Sequence, residues 1–235
     1  MAVKFNQYWD LLPGKQAEYA EFIREDFFPA LKNLGVQVVA GWYLLVGKGP
    51  HIVIEGTTQD MHTIEKIVSS RAFKLMRARL ANMSQNYMSR IMVPTERVPK
   101  EHGQILPPKI VKFNQSWNIN PGGEELYSQF IREKYMPMME NLGITVAAEW
   151  QILVGKGPDT MAEGHSPDLT TVAQALGDER YHVLIAQLDS LINNHESRIL
   201  VRHRLLWEAI ERVYGGTIRY ISDEEIRSMY GPMVG

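Results

Sequence analysis

The chain has 235 residues, with 25 Lys+Arg against 27 Asp+Glu for a formal charge of −2, and no cysteine. A near-neutral chain has no phosphate-seeking field, which argues against a nucleic-acid partner; without thiols there is no disulfide framework, thiolate nucleophile or Cys-ligated zinc or iron–sulfur site. The N-terminal Met1-Ala2-Val3-Lys4-Phe5 lacks an export signal and no apolar run nears the ~20 residues that span a bilayer, so a soluble, cytoplasmic protein with no membrane partner is expected.

Residues Val3–Leu11 alternate, with Val3, Phe5, Gln7 and Trp9 on one face and Lys4, Asn6 and Tyr8 on the other, which reads as a strand ended by Pro13-Gly14. Tyr19, Phe22, Ile23, Phe27, Ala30, Leu31 and Leu34 then recur at helical spacing up to Gly35, with Pro29 predicting a kink or split. Val36–Val46 and His51–Gly56 read as two strands joined by the hairpin Gly47-Lys48-Gly49-Pro50. Asp60 caps a helical run to about Met83, and Ser89–Val93 closes the unit as a strand. The order β-α-β-β-α-β is the split ferredoxin-like pattern.

The same unit then recurs. Val3–Val93 slides onto Val111–Val201 without a gap, and 37 of the 91 positions are identical, including VKFNQ, FIRE and LVGKGP. The chain therefore divides into a first repeat over 1–94, a Pro- and Gly-rich linker over 95–110, a second repeat over 111–203 and a helical extension over 204–235. In that extension Leu205–Tyr214 has helical spacing and Ser222-Asp223-Glu224-Glu225 reads as a capping box, so an arm packing on a neighbour or on its own barrel is expected.

The run PGK…YAEFI…FFPALKNLGV…VAGWY…VGKGP…EGT resembles the NIPSNAP-type units of the dimeric α+β barrel superfamily over about 90 residues of each half. The resemblance implies an α+β fold in which two four-stranded sheets pack together as a barrel, here both supplied by one chain. It also implies a cavity for a small hydrophobic or aromatic molecule, with cofactor-independent oxygenase or isomerase chemistry as one use. A non-enzymatic oligomeric scaffold or binding module is the alternative, and a homo-oligomer is expected in either case.

In the ferredoxin-like topology the first strand lies between the third and the fourth. This places Glu55, Asn6, Gln7 and Arg90 side by side, and repeats them as Glu163, Asn114, Gln115 and Arg198. Glu55 and Arg90 would stand ~9.6 Å apart, bridgeable by Asn6. One reading makes Glu55 and Glu163 general bases, with Arg90, Arg198 and the amides orienting a substrate oxygen. The other makes them strand ties. Which face they occupy is open, because a one-residue slip flips it. Trp42 and Trp150 join the candidate lining, since superfamily relatives that oxidise aromatic substrates without a cofactor use Asn, Trp, Tyr and Arg; core packing is their ordinary role.

No metal site is read: His51, His62, His165, His182, His195 and His203 each face a different residue type in the other copy, and HxH and HExxH are absent. Haem, as in the chlorite-dismutase-like branch of the superfamily, needs one axial histidine, for which His182 and His195 are the candidates. The GKGP loops join two strands, so they are turns and no P-loop. Arg24-Glu25 and Arg132-Glu133 read as a solvated helix face or a subunit contact. The third strands differ, Ile52-Val53-Ile54 against Thr160-Met161-Ala162, which predicts more room at an inward position of the second half.

Overall fold

A computed structural model describes residues 3–98 and 110–215. Most of the linker, and the Ser222–Glu225 capping box, lie outside them. Each half opens on a strand, β1 (Val3–Leu11) or β5 (Val111–Ile119), and continues through a broken helix. That helix is α1 (Gln16–Phe22) and α2 (Phe28–Asn33) in the first half, and α5 (Glu124–Phe130) and α6 (Met136–Asn141) in the second. A π-helical turn joins the pieces at Ile23–Phe27 and Ile131–Tyr135. Pro29 and Pro137 stand in the first turn of α2 and α6, where a missing N–H costs least.

The hairpins β2 (Gln37–Val46) with β3 (Ile52–Thr58), and β6 (Thr145–Val154) with β7 (Thr160–Ser166), follow. Next come α3 (Met61–Ser69) with α4 (Arg71–Ala81), and α7 (Leu169–Gly177) with α8 (Glu179–Asp189). The single helical run expected from Asp60 is thus two helices. Ser70 and Asp178 turn extended between them, and each side chain caps the second helix by accepting a backbone N–H. Strands β4 (Ser84–Pro94) and β8 (Ile192–Arg202) complete the units.

The eight strands close in the order β1-β3-β2-β8-β5-β7-β6-β4. Both halves use equivalent registers: Asn6 lies between Glu55 and Arg90, and Asn114 between Glu163 and Arg198. The two sheets join edge to edge, β2 to β8 and β4 to β6, so among the described residues every strand edge is paired. Side chains of one parity pack under the helices. Val3, Phe5 and Trp9 do so in the first half, and Val111, Phe113 and Trp117 in the second. The other parity, including Lys4, Asn6, Tyr8, Trp42 and Val53, fills the lumen. Among the described residues no helix is long and apolar enough to cross a membrane.

After the second half the chain returns to the first. Helix α9 (Arg204–Tyr214) lays Leu206, Ala209, Ile210 and Tyr214 into the first core. Trp207 donates to the Gly41 carbonyl at 2.8 Å, and Tyr214 to that of Val36 at 2.9 Å. Arg212 pairs with Glu25 at 2.7 Å, so the Arg24-Glu25 face receives this chain's own arm. A Cβ at Gly41 would collide with Leu206. Gly41→Val is therefore expected to cost about 1–3 kcal/mol by overpacking and to speed amide exchange throughout α9. Unchanged exchange there would refute the docking argument.

Candidate functional sites in the lumen and under the helices of the second half

The centre of the lumen holds four charges, two from each half. Lys112 Nζ lies 2.6 Å from both Glu55 oxygens and 2.6 Å from Glu163 Oε1. Lys4 donates to Glu163 and stands 3.6 Å from Glu55. All four are buried, and each lysine bridges the carboxylates of both halves. The tryptophans frame them: Lys4 sits 4.7 Å from the Trp150 ring centre and Lys112 5.2 Å from that of Trp42. Trp150 Nε1 donates to Glu163 Oε2 at 3.0 Å, and His165 Nε2 lies 3.3 Å from Oε1.

Burial alone would raise the Glu163 pKa, but Lys112, Lys4 and His165 outweigh it and hold the carboxyl well below its ordinary range. Burial likewise opposes the Lys4 charge, and Glu163 with Glu55 reverses the effect and raises its pKa. A carboxylate so held is a poor proton acceptor. The lumen square works first as a clamp between halves.

Asn6, Glu55 and Arg90 do share one lumen-facing row, as Asn114, Glu163 and Arg198 do. The expected bridge from Glu55 through Asn6 to Arg90 is not made, because the lysines take the carboxylate. Asn6 Nδ2 instead reaches Tyr8 at 3.3 Å, and Asn114 Nδ2 the Met161 sulfur at 3.7 Å. Gln7 and Gln115 point the other way, under the helices, because the pleat alternates. The inward position of the third strand is Val53 in the first half and Met161 in the second, so the lumen does not gain room there. The smaller residues Thr160 and Ala162 lie where Ile52 and Ile54 face the helices.

The helix-facing layer of the second half also carries a polar network around Gln115. Tyr135 donates to Gln115 Oε1 at 2.5 Å; the two N–H groups of Gln115 Nε2 face His195 Nε2 at 2.9 Å and the Tyr181 and Ser197 hydroxyls, each at 3.3 Å. His195 Nδ1 lies 3.1 Å from Asp189, and Trp117 packs edge-on to the imidazole at 5.7 Å. In the first half the equivalent positions are Phe27, Phe73, Tyr87 and Ala81, and Gln7 accepts one bond, from Tyr87 at 2.9 Å. Burial pushes the Tyr181 hydroxyl up to about 12 and that of Tyr135 well above its ordinary value, so both keep their protons. The π-helical turn is what brings Tyr135 over the strand.

Lys4, Lys112, Tyr135, Tyr181 and Asp189 were absent from the sequence-derived site. The lysines were legible from their parity with Asn6 inside both VKFNQ strands. The others were legible as apolar-to-polar exchanges between aligned halves. The clefts at the α6–α8 surface and beside the start of α9 are lined by none of the four clamp residues.

No family model matches the chain, and neither does any curated protein. Solved structures do. An anthrone oxidase-like protein matches at 11% identity and TM-score 0.57 over 86% of this chain and 91% of its own. A variant chlorite dismutase from Candidatus Nitrospira defluvii matches at 12% and 0.56, over 90% and 94%. A NIPSNAP family protein from Agrobacterium tumefaciens aligns at 17% and 0.33, over 42% of this chain and 98% of its own. The chain has the dimeric α+β barrel fold.

The chlorite-dismutase likeness raises haem, which needs a histidine with a ring nitrogen facing open space. Both nitrogens of His195 are engaged, by Gln115 and Asp189, and His182 is exposed on α8. His165 lies in the filled lumen against Glu163. These histidines do not fit the group. Among the described residues no cluster of three or more His, Asp or Glu could hold a metal ion.

Proposed function

We propose that this chain is a small-molecule-binding α+β barrel protein that performs cofactor-independent proton-transfer chemistry, of the oxidase or isomerase kind, on an aromatic substrate in its second half. The observation that carries the reading is the set orientation of His195. Gln115 accepts from Tyr135 through Oε1, so its Nε2 is the donor toward the imidazole. His195 Nε2 must then be the unprotonated nitrogen, and Nδ1–H donates to Asp189. A carboxylate that fixes the tautomer and a second nitrogen held only by an amide N–H make a general base once a substrate displaces the Gln115 amide from Nε2. Gln115, Tyr135 and Tyr181 supply polar groups for a substrate oxygen, and Trp117 an apolar wall. The network meets solvent at His195 and Asp189, whose side chains are 19% and 53% exposed. The likeness to an oxidase-like barrel supports the same class of chemistry.

The test is oxygen uptake and product formation with anthrone as the probe, a carbon acid whose deprotonated form reacts with oxygen. Wild type is expected to turn it over, and His195→Phe to lose about 10²–10⁴-fold, with Tyr87→Phe unaffected. Turnover that survives His195→Phe would remove His195 from the chemistry. A second reading, a non-catalytic binding or scaffolding module, is favoured by the side-chain-filled lumen. It would stand if folded wild type neither turns over nor binds anthrone.

A further inference from the structure

The rows that hold the clamp also carry Arg90 and Arg198, and these have a different electrostatic situation. Lys4 and Lys112 each contact a buried carboxylate. Among the described residues Arg90 contacts none: its Nε donates to the Lys156 carbonyl at 3.0 Å and its guanidinium lies 5.6 Å from the Tyr8 ring centre. Arg198 has one acid in reach, Glu196, at 3.7 Å on the same face of β8, with a side chain 36% exposed. Strands β1 and β5 run parallel within the closed barrel, so the two arginines lie at the same end of the lumen. Their charges act on each other: burial and Arg90 together lower the Arg198 pKa, with Tyr8 and Glu196 opposing.

Each arginine is covered by the glycine hairpin of the opposite half. Gly47 and Gly49 pack on Arg198, and Gly155 and Gly157 on Arg90. A Cβ at Gly157 would collide with the Arg90 guanidinium, and Gly155, at φ +135°, would put one 2.9 Å from Arg90 Cγ. The hairpins thus close over the guanidiniums at a distance only glycine permits, and they carry the exposed Lys48 and Lys156. The acid beside the first hairpin, Asp10, is already engaged by His51 at 2.7 Å and Asn86 at 2.8 Å. Among the described residues these two like charges, Arg90 and Arg198, meet one acid in ion-pair range, the part-exposed Glu196, and so keep an excess positive charge.

We propose that this end of the lumen, between the two GKGP hairpins, binds a small oxyanion, the carboxylate or phosphate of a metabolite, through Arg90 and Arg198. The site is separate from the His195 network and does not depend on it. The hairpins are the part of the barrel that must part to admit the ligand.

The test is thermal unfolding of the full chain in sodium phosphate, sodium succinate or sodium chloride at matched ionic strength. Phosphate, succinate or both should raise the midpoint saturably over chloride, by about 5–10 °C at a hundredfold excess over Kd; which of them does so tells the phosphate source from the carboxylate source. Arg198→Met should abolish the shift and Arg198→Lys retain part of it. In chloride alone Arg198→Met should be no less stable than wild type, since it relieves the repulsion with Arg90. The proposal is overturned if neither oxyanion outdoes chloride, if Arg198→Met responds as wild type does, or if that variant loses stability in chloride, which marks Arg198 as a structural tie.

Discussion

Lys112→Met is expected to lower the unfolding free energy by about 3–5 kcal/mol, the cost of leaving a buried carboxylate without its partner. Lys112 touches both Glu55 and Glu163, and without it Glu55 keeps, among the described residues, Lys4 at 3.6 Å. Adding Glu55→Gln should restore much of the loss, because the orphaned charge is then gone; a double-mutant cycle in urea measures that coupling. A single variant within about 1 kcal/mol of wild type would show that the clamp does not join the halves.

The clamp also has a pH signature. The Glu163 pKa is depressed in the fold, so its contribution is fully present above the unfolded value, about 4.3, and is lost as pH falls through the folded value. The Lys4 pKa is raised, so its contribution is present below the unfolded value, about 10.4, and is lost only as pH rises through the higher folded one. Stability should therefore be flat through neutral pH and fall on the acid side, with a shallower fall in Glu163→Gln.

Gln115→Leu should cost about 2–4 kcal/mol, against about 1 kcal/mol for Gln7→Leu, though the two glutamines occupy equivalent places. Gln115 serves Tyr135, Tyr181, His195 and Ser197, whereas Gln7 accepts one bond from Tyr87. Truncating Gln115 leaves the fully buried Tyr135 hydroxyl without its acceptor and frees the imidazole to turn. The His195 ring proton resonances should then broaden or shift. Equal costs at the two positions would mean that the second half's network is packing and no more.

The two predictions separate what both halves share from what one half alone carries. The clamp uses residues present in each repeat, as expected of parts the barrel needs in order to close. The His195 network uses Tyr135, Tyr181, Asp189 and His195, where the first repeat has Phe27, Phe73, Ala81 and Tyr87. Burying those polar groups costs free energy that the apolar versions avoid, so their presence in one half asks for a use.

Much of the architecture was legible in the chain itself. Alternation in VKFNQYW, the helical spacing after Pro13-Gly14, the GKGP turns and the offset of 108 residues between repeats specify two βαββαβ units, because these signals act over a few residues and depend only on backbone periodicity. What the local pattern left open was the side of each strand that faces inward, since a period of two has no preferred sign until the opposite sheet is present. Only the closed barrel put Lys112 on Glu55, and turned Gln115 outward onto Tyr135 and His195. The clamp spans two halves whose strands are brought together by barrel closure, and a contact of that kind is chosen by how the sheets meet.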